Sequence, residues 1–394
     1  MMGSSPCRQS KFQIINSKSQ TLKFIYLDYA AGIGNPSSIH SAGREAKALL
    51  ETARAKIGAV ISARPEEIIF TGSGSEANNL ALNVSGHIVT TNIEHHSVMR
   101  PAQQRNATFV PVEPNGIVDP QKILAAIRPN TVLVSVHYAN NEIGVIQPIK
   151  EIKKKIENWK LKIHGKTPFF HVDACQAAGY LPLNVQELGV DLMTLNASKI
   201  YGPKGIGCLF VRRGVKIAPM ILGGDQERGR RAGTESVELA VSFAEALEIA
   251  SEHRKTNTEK LTKLRDWFIA QLPEARLNGD PVERLPNNIN ISFDGVDGEM
   301  LLLALDAHGI CVSTGAACTT TSNEPSHVLR AIAPQPPSYS KRGAKGEILG
   351  NLRLTLGRAT TKKELEYTLK ILKKEVARLQ NLSAPSESNR GPLP

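Results

Sequence analysis

Between residues 65 and 215 short β-rich runs alternate with helix-patterned ones, and this alternation limits the fold more than any other feature of the chain. The β-rich runs read EEIIFT, HIVTT, TFVPV, TVLVSV, PFFHV, DLMTL and GCLFV. Between several of them stand SEANNLALNV, PQKILAAI and IKEIKKKIENW, which carry helical patterns. Such an order predicts an α/β domain, a mostly parallel sheet covered by helices. Ligand-binding residues in a sheet of this kind gather where strands end and loops begin.

Beyond residue 235 the order changes. A long helical pattern runs from SVELAVSFAEALEIA to LTKLRDWFIAQL and is expected to bridge two domains. NNINISF then reads as a strand, DGEMLLLALDAHG as a helix capped by Asp297 and stopped by Gly309, and LRLTL as a strand. Thr361 and Glu364 form a capping box that opens a last helix. The expected division is a large domain over 25–255 and a smaller α+β domain over 256–382. Residues 1–24 are expected to be disordered or part of the small domain, 383–394 a disordered tail, and APQPPSYSKRGAKGEILG a mobile loop. A length of 394 residues gives both domains a core without staples.

Composition removes several function classes. The net charge is +11, but the basic residues are interleaved with acids, as in KEIKKKIENWKLK, which suits solvated helix faces better than a nucleic-acid surface. Aromatics make up 5%, too few for a base-stacking platform. The five cysteines, Cys7, Cys175, Cys208, Cys311 and Cys318, include no CxxC pair, so neither a disulfide framework nor a zinc site is indicated. A reducing, cytoplasmic setting fits. Cys175, Cys208 and Cys311 lie in apolar surroundings and are expected to be core thiols. No apolar run is long enough to cross a bilayer. The first 27 residues carry Arg8, Lys11, Lys18 and Lys23 and no acid, a weak likeness to a transit peptide and a better one to a disordered start.

Three stretches carry chemistry. In FTGSGSEANNLAL a strand runs through a Gly/Ser turn into a helix expected to start near Ser75, which makes an anion cradle suited to phosphate. In HVDACQAAG, Asp173 ends an apolar strand, where a carboxylate either caps the next segment or meets a buried cationic ring nitrogen. In LMTLNASKIYGPKGIG, Lys199 follows another apolar strand, and a desolvated lysine there would form Schiff bases readily. Each is weak alone. A phosphate cradle, a ring-nitrogen carboxylate and a Schiff-base lysine together describe a pyridoxal phosphate site.

The chain resembles the cysteine desulfurases of the class-V aminotransferase group. The resemblance rests on YLDYAA, GNPSSIHSAGREA, IIFTGSGSEANNLA, IEHHSV, NNEIGVIQPI, HVDACQ, SKIYGPKGIG, ERGRRAGTE, STGAACTTTSNEPSHVLRA and LRLTLGRATT, in family order over about 26 to 380. It implies a fold-type-I pyridoxal-phosphate enzyme acting on L-cysteine. By the same resemblance, Lys199 bonds the cofactor, Asp173 partners the pyridine nitrogen, Gln176 the phenolic oxygen, and His95 stacks on the ring and moves protons. His96 is off the matching position. Gly74 and Ser75 would hold phosphate, with Thr234 reaching the other subunit of a homodimer, while Asn196 and Ser198, where the chain departs from the family, can still donate hydrogen bonds to that phosphate. Asn141 and Arg353 would grip the substrate carboxylate. Cys318 would attack the substrate sulfur, release L-alanine and keep the sulfur as a persulfide. The stretch after Cys318 resembles the long-loop subgroup, which delivers sulfur to iron–sulfur assembly or tRNA thiolation through an acceptor protein.

The chain departs from the family pattern in places. YLDYAA and GNPSSIH almost abut where the family has roughly a helix plus a loop. ALNVSGHIVTT and PAQQRNATFVPV are shorter by about a helical turn or two. Asn196-Ala197-Ser198 stands where Ser-Gly-His is usual. The competing functions are a selenocysteine lyase, whose turnover would survive loss of Cys318, and an inactive relic of the same fold.

Overall fold

The computed structural model describes residues 25–163, 168–315, 326–333 and 349–383. All seven β-rich runs form strands of one sheet: β1 (Ile68–Thr71), β2 (His87–Thr91), β3 (Ala107–Val110), β4 (Thr131–His137), β5 (Phe169–Asp173), β6 (Leu192–Asn196) and β7 (Gly207–Val211), in the order β1-β7-β6-β5-β4-β2-β3. β6, β5, β4, β2 and β3 are parallel, and β7 runs antiparallel between β6 and β1. Alternate side chains feed opposite faces. Val134 and Val136 enter a core on one side, and Leu133 enters a second core on the other. Burial on both faces explains why these strands read as continuous apolar runs.

Helices cover both faces: α1 (Ser41–Ile61), α2 (Gly74–Ala81), α3 (His96–Gln103), α4 (Pro120–Ala126), α5 (Ile149–Ile163) and the short turn α6 (Val185–Leu188). Ser73 caps α2, its hydroxyl accepting from the Glu76 N–H at 3.2 Å, so the helix starts one residue before Ser75. α1 buries Ala46, Leu50, Ala53 and Ile57, a stripe at helical spacing. That stripe shares a core with Phe243, Ala244 and Leu247 of α8 (Val237–Glu252), which follows the short turn α7 (Gln226–Gly229). Where YLDYAA meets GNPSSIH, local bonds close the junction: the Asp28 carboxylate accepts from Ser38 Oγ at 3.0 Å and contacts His40 Nε2 at 3.1 Å.

The long helical pattern is two helices, not one. α8 ends at Glu252 and α9 (Arg254–Ala270) begins after His253, whose φ of −91° and ψ of 2° break the run. A second sheet follows, of β8 (Arg276–Leu277), β9 (Asn288–Asp294) and β10 (Leu349–Thr355), antiparallel in the order β10-β9-β8. With α10 (Gly298–Asp306), α11 (His327–Ile332) and α12 (Lys362–Ser383) it completes the fold. Phe268, Ile289, Leu301, Leu352 and Leu372 share this part's own core. Asp297 caps α10 through bonds from the Glu299 and Met300 N–H groups, and Gly309 closes the turn after it at φ 74°. Thr361 and Glu364 make the capping box of α12, with Thr361 N–H donating to Glu364 Oε2 at 2.7 Å.

The cysteines divide differently from expectation. Cys208 is a core thiol, fully buried on β7, and burial pushes its pKa up. Cys311 is exposed, because it follows the turn that ends α10 rather than a strand. Cys175 is only half-buried and lines the cavity described below. Residues 1–24, the insert from 334 to 348 and the tail from 384 fall outside the described residues, as does Cys318.

Candidate active site

A cavity of about 460 Å³ opens where the parallel strands end, closed on its far side by residues of β10 and the loop after it. β5 ends at Asp173, and Cys175 and Gln176 follow it into the wall. β6 ends at Asn196, followed by a single 3-10 turn (Ala197–Lys199) that carries Ser198 and Lys199. Gly74 and Ser75 open α2, His95 caps α3, and Asn141 follows β4. Arg353, Thr355, Leu356 and Gly357 line it from β10 and the loop after it, and Asn78, Ser97 and His137 also face it. Ten of the cited candidates, all but Cys318 and Thr234, therefore lie around one space: Gly74, Ser75, His95, Asn141, Asp173, Gln176, Asn196, Ser198, Lys199 and Arg353.

Asp173 sets the charge of the site. It is 6% exposed, accepts from Asn78 Nδ2 at 2.7 Å and from the Cys175 N–H at 3.0 Å. Burial pushes its carboxyl pKa up. The bonds from Cys175 and Asn78, with His95 nearby, outweigh that and leave it below the usual carboxylate range. Asp173 is thus an ionised carboxylate facing the cavity, with no ion-pair partner among the described residues. Neutral donors alone balance a buried anion poorly, and a cationic ring nitrogen placed beside it would complete the pairing.

The anion cradle lies at the start of α2, beside Cys175 and Asn196. A Cβ added at Gly74 would stand 2.8 Å from Cys175 Sγ and 3.2 Å from Asn196 Cβ, so only glycine lets α2 begin this close to the β6 loop. Asn196 Oδ1 accepts from the Ser198 N–H and hydroxyl, both at 3.3 Å. A ligand with a cationic ring nitrogen and an anionic tail fits the ionised Asp173 together with this cradle.

Lys199 differs from expectation. It is exposed rather than buried at a strand end, because the 3-10 turn carries it beyond β6. Its side chain also lines a second cavity of about 330 Å³, with Tyr180, Tyr201 and Arg358. Arg358 stacks 4.3 Å from the Tyr201 ring centroid and donates its backbone N–H to the Tyr201 hydroxyl at 2.9 Å. Arg353 Nη1 donates to the Asn141 carbonyl at 3.0 Å, so the two candidates for carboxylate binding are tied together. Thr234 is exposed and does not line the cavity.

His95 uses Nδ1 to accept the Ser97 N–H at 3.1 Å and meets Ser97 Oγ at 2.7 Å. Burial holds its pKa down. His96 lies outside the cavity, with its ring 4.8 Å from that of His327.

Sequence reasoning missed Asn78, Ser97 and His137. Asn78 lies one helical turn after Gly74, a periodicity that could have placed it on the same face. His137 is the cross-strand neighbour of Asp173 in the β4–β5 register, and its Nδ1 lies 3.2 Å from Oε2 of the fully buried Glu94. Deeper still, His171 sits between Ser135 Oγ and Thr194 Oγ1, and burial drives its pKa down to about 4. Among the described residues no group of three His, Cys, Asp or Glu could hold a metal ion, and no helix is long and apolar enough to cross a membrane.

Cys318 belongs to the segment outside the described residues, but both flanks of that segment meet the site. Ser313 exchanges backbone hydrogen bonds with Arg353, at 3.1 and 2.6 Å. Ser326 Oγ donates to Glu142, and His327 Nε2 lies 2.9 Å from the Glu94 carbonyl. A Cβ built on Gly315 would lie 3.8 Å from Ser326 Cβ and 3.6 Å from Glu142 Oε2, so the chain leaves and returns at one point.

Comparison with known proteins bears on all of this. The family model described as Aminotransferase class-V matches residues 16–368. A cysteine desulfurase IscS of Dictyoglomus turgidum is 42% identical, over 91% of this chain and 96% of that protein. One from Methanosarcina thermophila is 41% identical, over 89% of this chain and 87% of its own. A solved NifS-like protein superposes with a TM-score of 0.77 at 32% identity, covering 88% of this chain and 92% of that one.

Proposed function

The chain belongs to the class-V aminotransferase family, and from that membership we propose how its own residues divide the work of the cavity. It is a pyridoxal-phosphate-dependent cysteine desulfurase of the fold-type-I class. Pyridoxal phosphate, when bound, supplies an electron sink for the substrate α-carbon.

The protein's part is to hold, orient and move protons. Asp173, ionised and without an ion-pair partner among the described residues, would hold the ring nitrogen in its protonated form. Gly74, Ser75, Asn196 and Ser198 take the phosphate, Gln176 the phenolic oxygen, and Lys199 the covalent attachment, with His95 over the ring. Arg353, steadied by the Asn141 carbonyl, offers its planar fork to the L-cysteine carboxylate. The thiol of Cys318 attacks the sulfur of bound L-cysteine. An S–S bond forms, the substrate C–S bond breaks, and protons returned to carbon complete L-alanine while Cys318 keeps the sulfur as a persulfide.

The observation that carries this reading is the position of the flanks. Cys318 is three residues from Gly315, about 10 Å of extended chain, and Gly315 stands beside Glu142 next to the Asn141–Arg353 pair. A tether of that length supports attack by Cys318 on a substrate held by Arg353. We propose further that the enzyme is a homodimer in which Thr234 serves the partner's phosphate site. Its exposure, and that of the neighbouring Met220, Ile221 and Leu222, supports this arrangement. The persulfide passes to an acceptor protein for iron–sulfur assembly or tRNA thiolation, in a reducing, cytoplasmic setting, without direct nucleic-acid contact.

The test is alanine release from L-cysteine with pyridoxal phosphate and a thiol reductant, for wild type, Cys318→Ser and Lys199→Ala. Wild type alone should turn over. If wild type binds the cofactor yet yields no alanine, the desulfurase reading is wrong. Alanine from selenocysteine with the Cys318→Ser variant would instead mark a selenocysteine lyase.

A further inference from the structure

Asp173 and His95 are joined by a chain of side-chain hydrogen bonds. Asn78 Nδ2 donates to Asp173 Oδ2 at 2.7 Å and to Ser97 Oγ at 2.8 Å. Ser97 Oγ lies 2.7 Å from His95 Nδ1, which also accepts the Ser97 backbone N–H at 3.1 Å. Asn78 is 1% exposed and its Oδ1 has no hydrogen-bond partner.

The proton positions follow link by link. An ionised carboxylate only accepts, so the Asn78 amide must turn its NH₂ to Asp173. The second amide hydrogen then points at Ser97 Oγ and takes one of its two lone pairs. The single Ser97 hydroxyl proton is left to His95 Nδ1, which already takes the Ser97 N–H. Two donors thus converge on one ring nitrogen, and that nitrogen cannot carry a proton without losing the fixed Ser97 N–H bond and reversing the Ser97 hydroxyl. The orphaned Asn78 Oδ1 is the cost of this orientation, because flipping the amide would set its oxygen against the carboxylate.

We propose that Asn78 and Ser97 are positioning residues that convert the charge of Asp173 into one fixed tautomer of His95, with the proton on Nε2. Neutral His95 is therefore a hydrogen-bond donor at its other edge, with its basic nitrogen already engaged by Ser97. This deepens the desulfurase reading and rests on it for its catalytic meaning, but the tautomer is a property of the chain alone. Asp173, Glu142 and Glu94 draw the ring towards protonation, while burial and Lys199 oppose it, with the His96 ring centred 6.4 Å away.

The test is nitrogen NMR of the full chain with ring-labelled histidine, without cofactor, His95 being identified by its loss in His95→Gln. In wild type His95 should show a bare Nδ1 and a protonated Nε2 at neutral pH. In Ser97→Ala and Asn78→Ala its titration midpoint should rise by roughly half a pH unit to one, the scale of one neutral hydrogen bond. Asn78→Ala should also show mixed tautomers, and Ser97→Thr should behave as wild type. In the holoenzyme the acid limb of the pH–rate profile should move with the same midpoints. A proton on Nδ1 in wild type overturns the proposal, as does a midpoint unmoved in folded Ser97→Ala. If Asn78→Ala does not fold, Ser97→Ala and its threonine counterpart decide. A fixed tautomer in a chain inactive with L-cysteine would sink the desulfurase reading and leave this one standing.

Discussion

At the scale of single residues the site is governed by buried charge. Asp173 and Lys199 could be found in the sequence because Asp173 ends an apolar strand and Lys199 follows one, places where an ionisable residue stands out. Ser97 could not, because its place comes from side-chain bonds to Asn78 and His95, and helical spacing after Gly74 put Asn78 on the right face without revealing that its amide reaches Asp173. Arg353→Ala is expected to raise KM for L-cysteine about tenfold to a hundredfold, more than it lowers kcat, since a carboxylate grip acts in ground and transition states alike. Steady-state kinetics check this, and an unchanged KM would remove Arg353 from the substrate site.

His171 gives a pH prediction. Its pKa is about 4 in the folded chain against 6.5 for a free imidazole. The unfolded chain therefore binds the extra proton between those values, so stability is fully present above 6.5 and falls as pH drops towards 4. The loss is about 3 kcal/mol at most. His171→Gln, which keeps an amide between Ser135 and Thr194, should flatten thermal stability across that window. A slope as steep as wild type would show that His171 does not carry it.

At the scale of elements, the strands were legible because a two-faced core demands continuous apolar runs. The break at His253 was not, since helical periodicity continues across α8 and α9 and only the backbone turn divides them. The exposure of Lys199 was hidden likewise, because a single 3-10 turn leaves no signature in so short a stretch. α1 is fixed to the rest of the large domain by more than its apolar stripe. Arg54 Nη1 and Nη2 bond the two carboxylate oxygens of Glu227 at 2.7 and 2.9 Å, both side chains buried. Glu227 and Arg228 are held there in left-handed conformations, φ 48° and 58°, each strained by about 1 to 3 kcal/mol. Arg54→Met should cost about 3 to 5 kcal/mol by stranding Glu227, and Arg54→Met with Glu227→Leu should recover a good part of it. Denaturant unfolding of the two variants measures the difference. Equal losses would mean the pair acts only by packing.

At the scale of the molecule, the carboxyl ends of the sheet's strands line one part of the cavity and β10 with the loop after it lines another, so the cavity exists only when both are packed together. The short YLDYAA–GNPSSIH junction is bridged by Asp28, Ser38 and His40, while Ile25, Leu27, Ile33 and Ile39 around it remain exposed. For the proposed homodimer, sedimentation should give twice the chain mass of 42.8 kDa for wild type and a lighter species for Leu222→Glu. A monomeric wild type would refute it.

The most direct measurement is a single turnover of the holoenzyme with L-cysteine and no reductant, followed by mass spectrometry of the Cys318 peptide and assay of L-alanine. The account predicts one added sulfur on Cys318 for each alanine formed, and neither product in Cys318→Ser. Alanine formed in full by Cys318→Ser, or formed by wild type with the sulfur elsewhere, would contradict it.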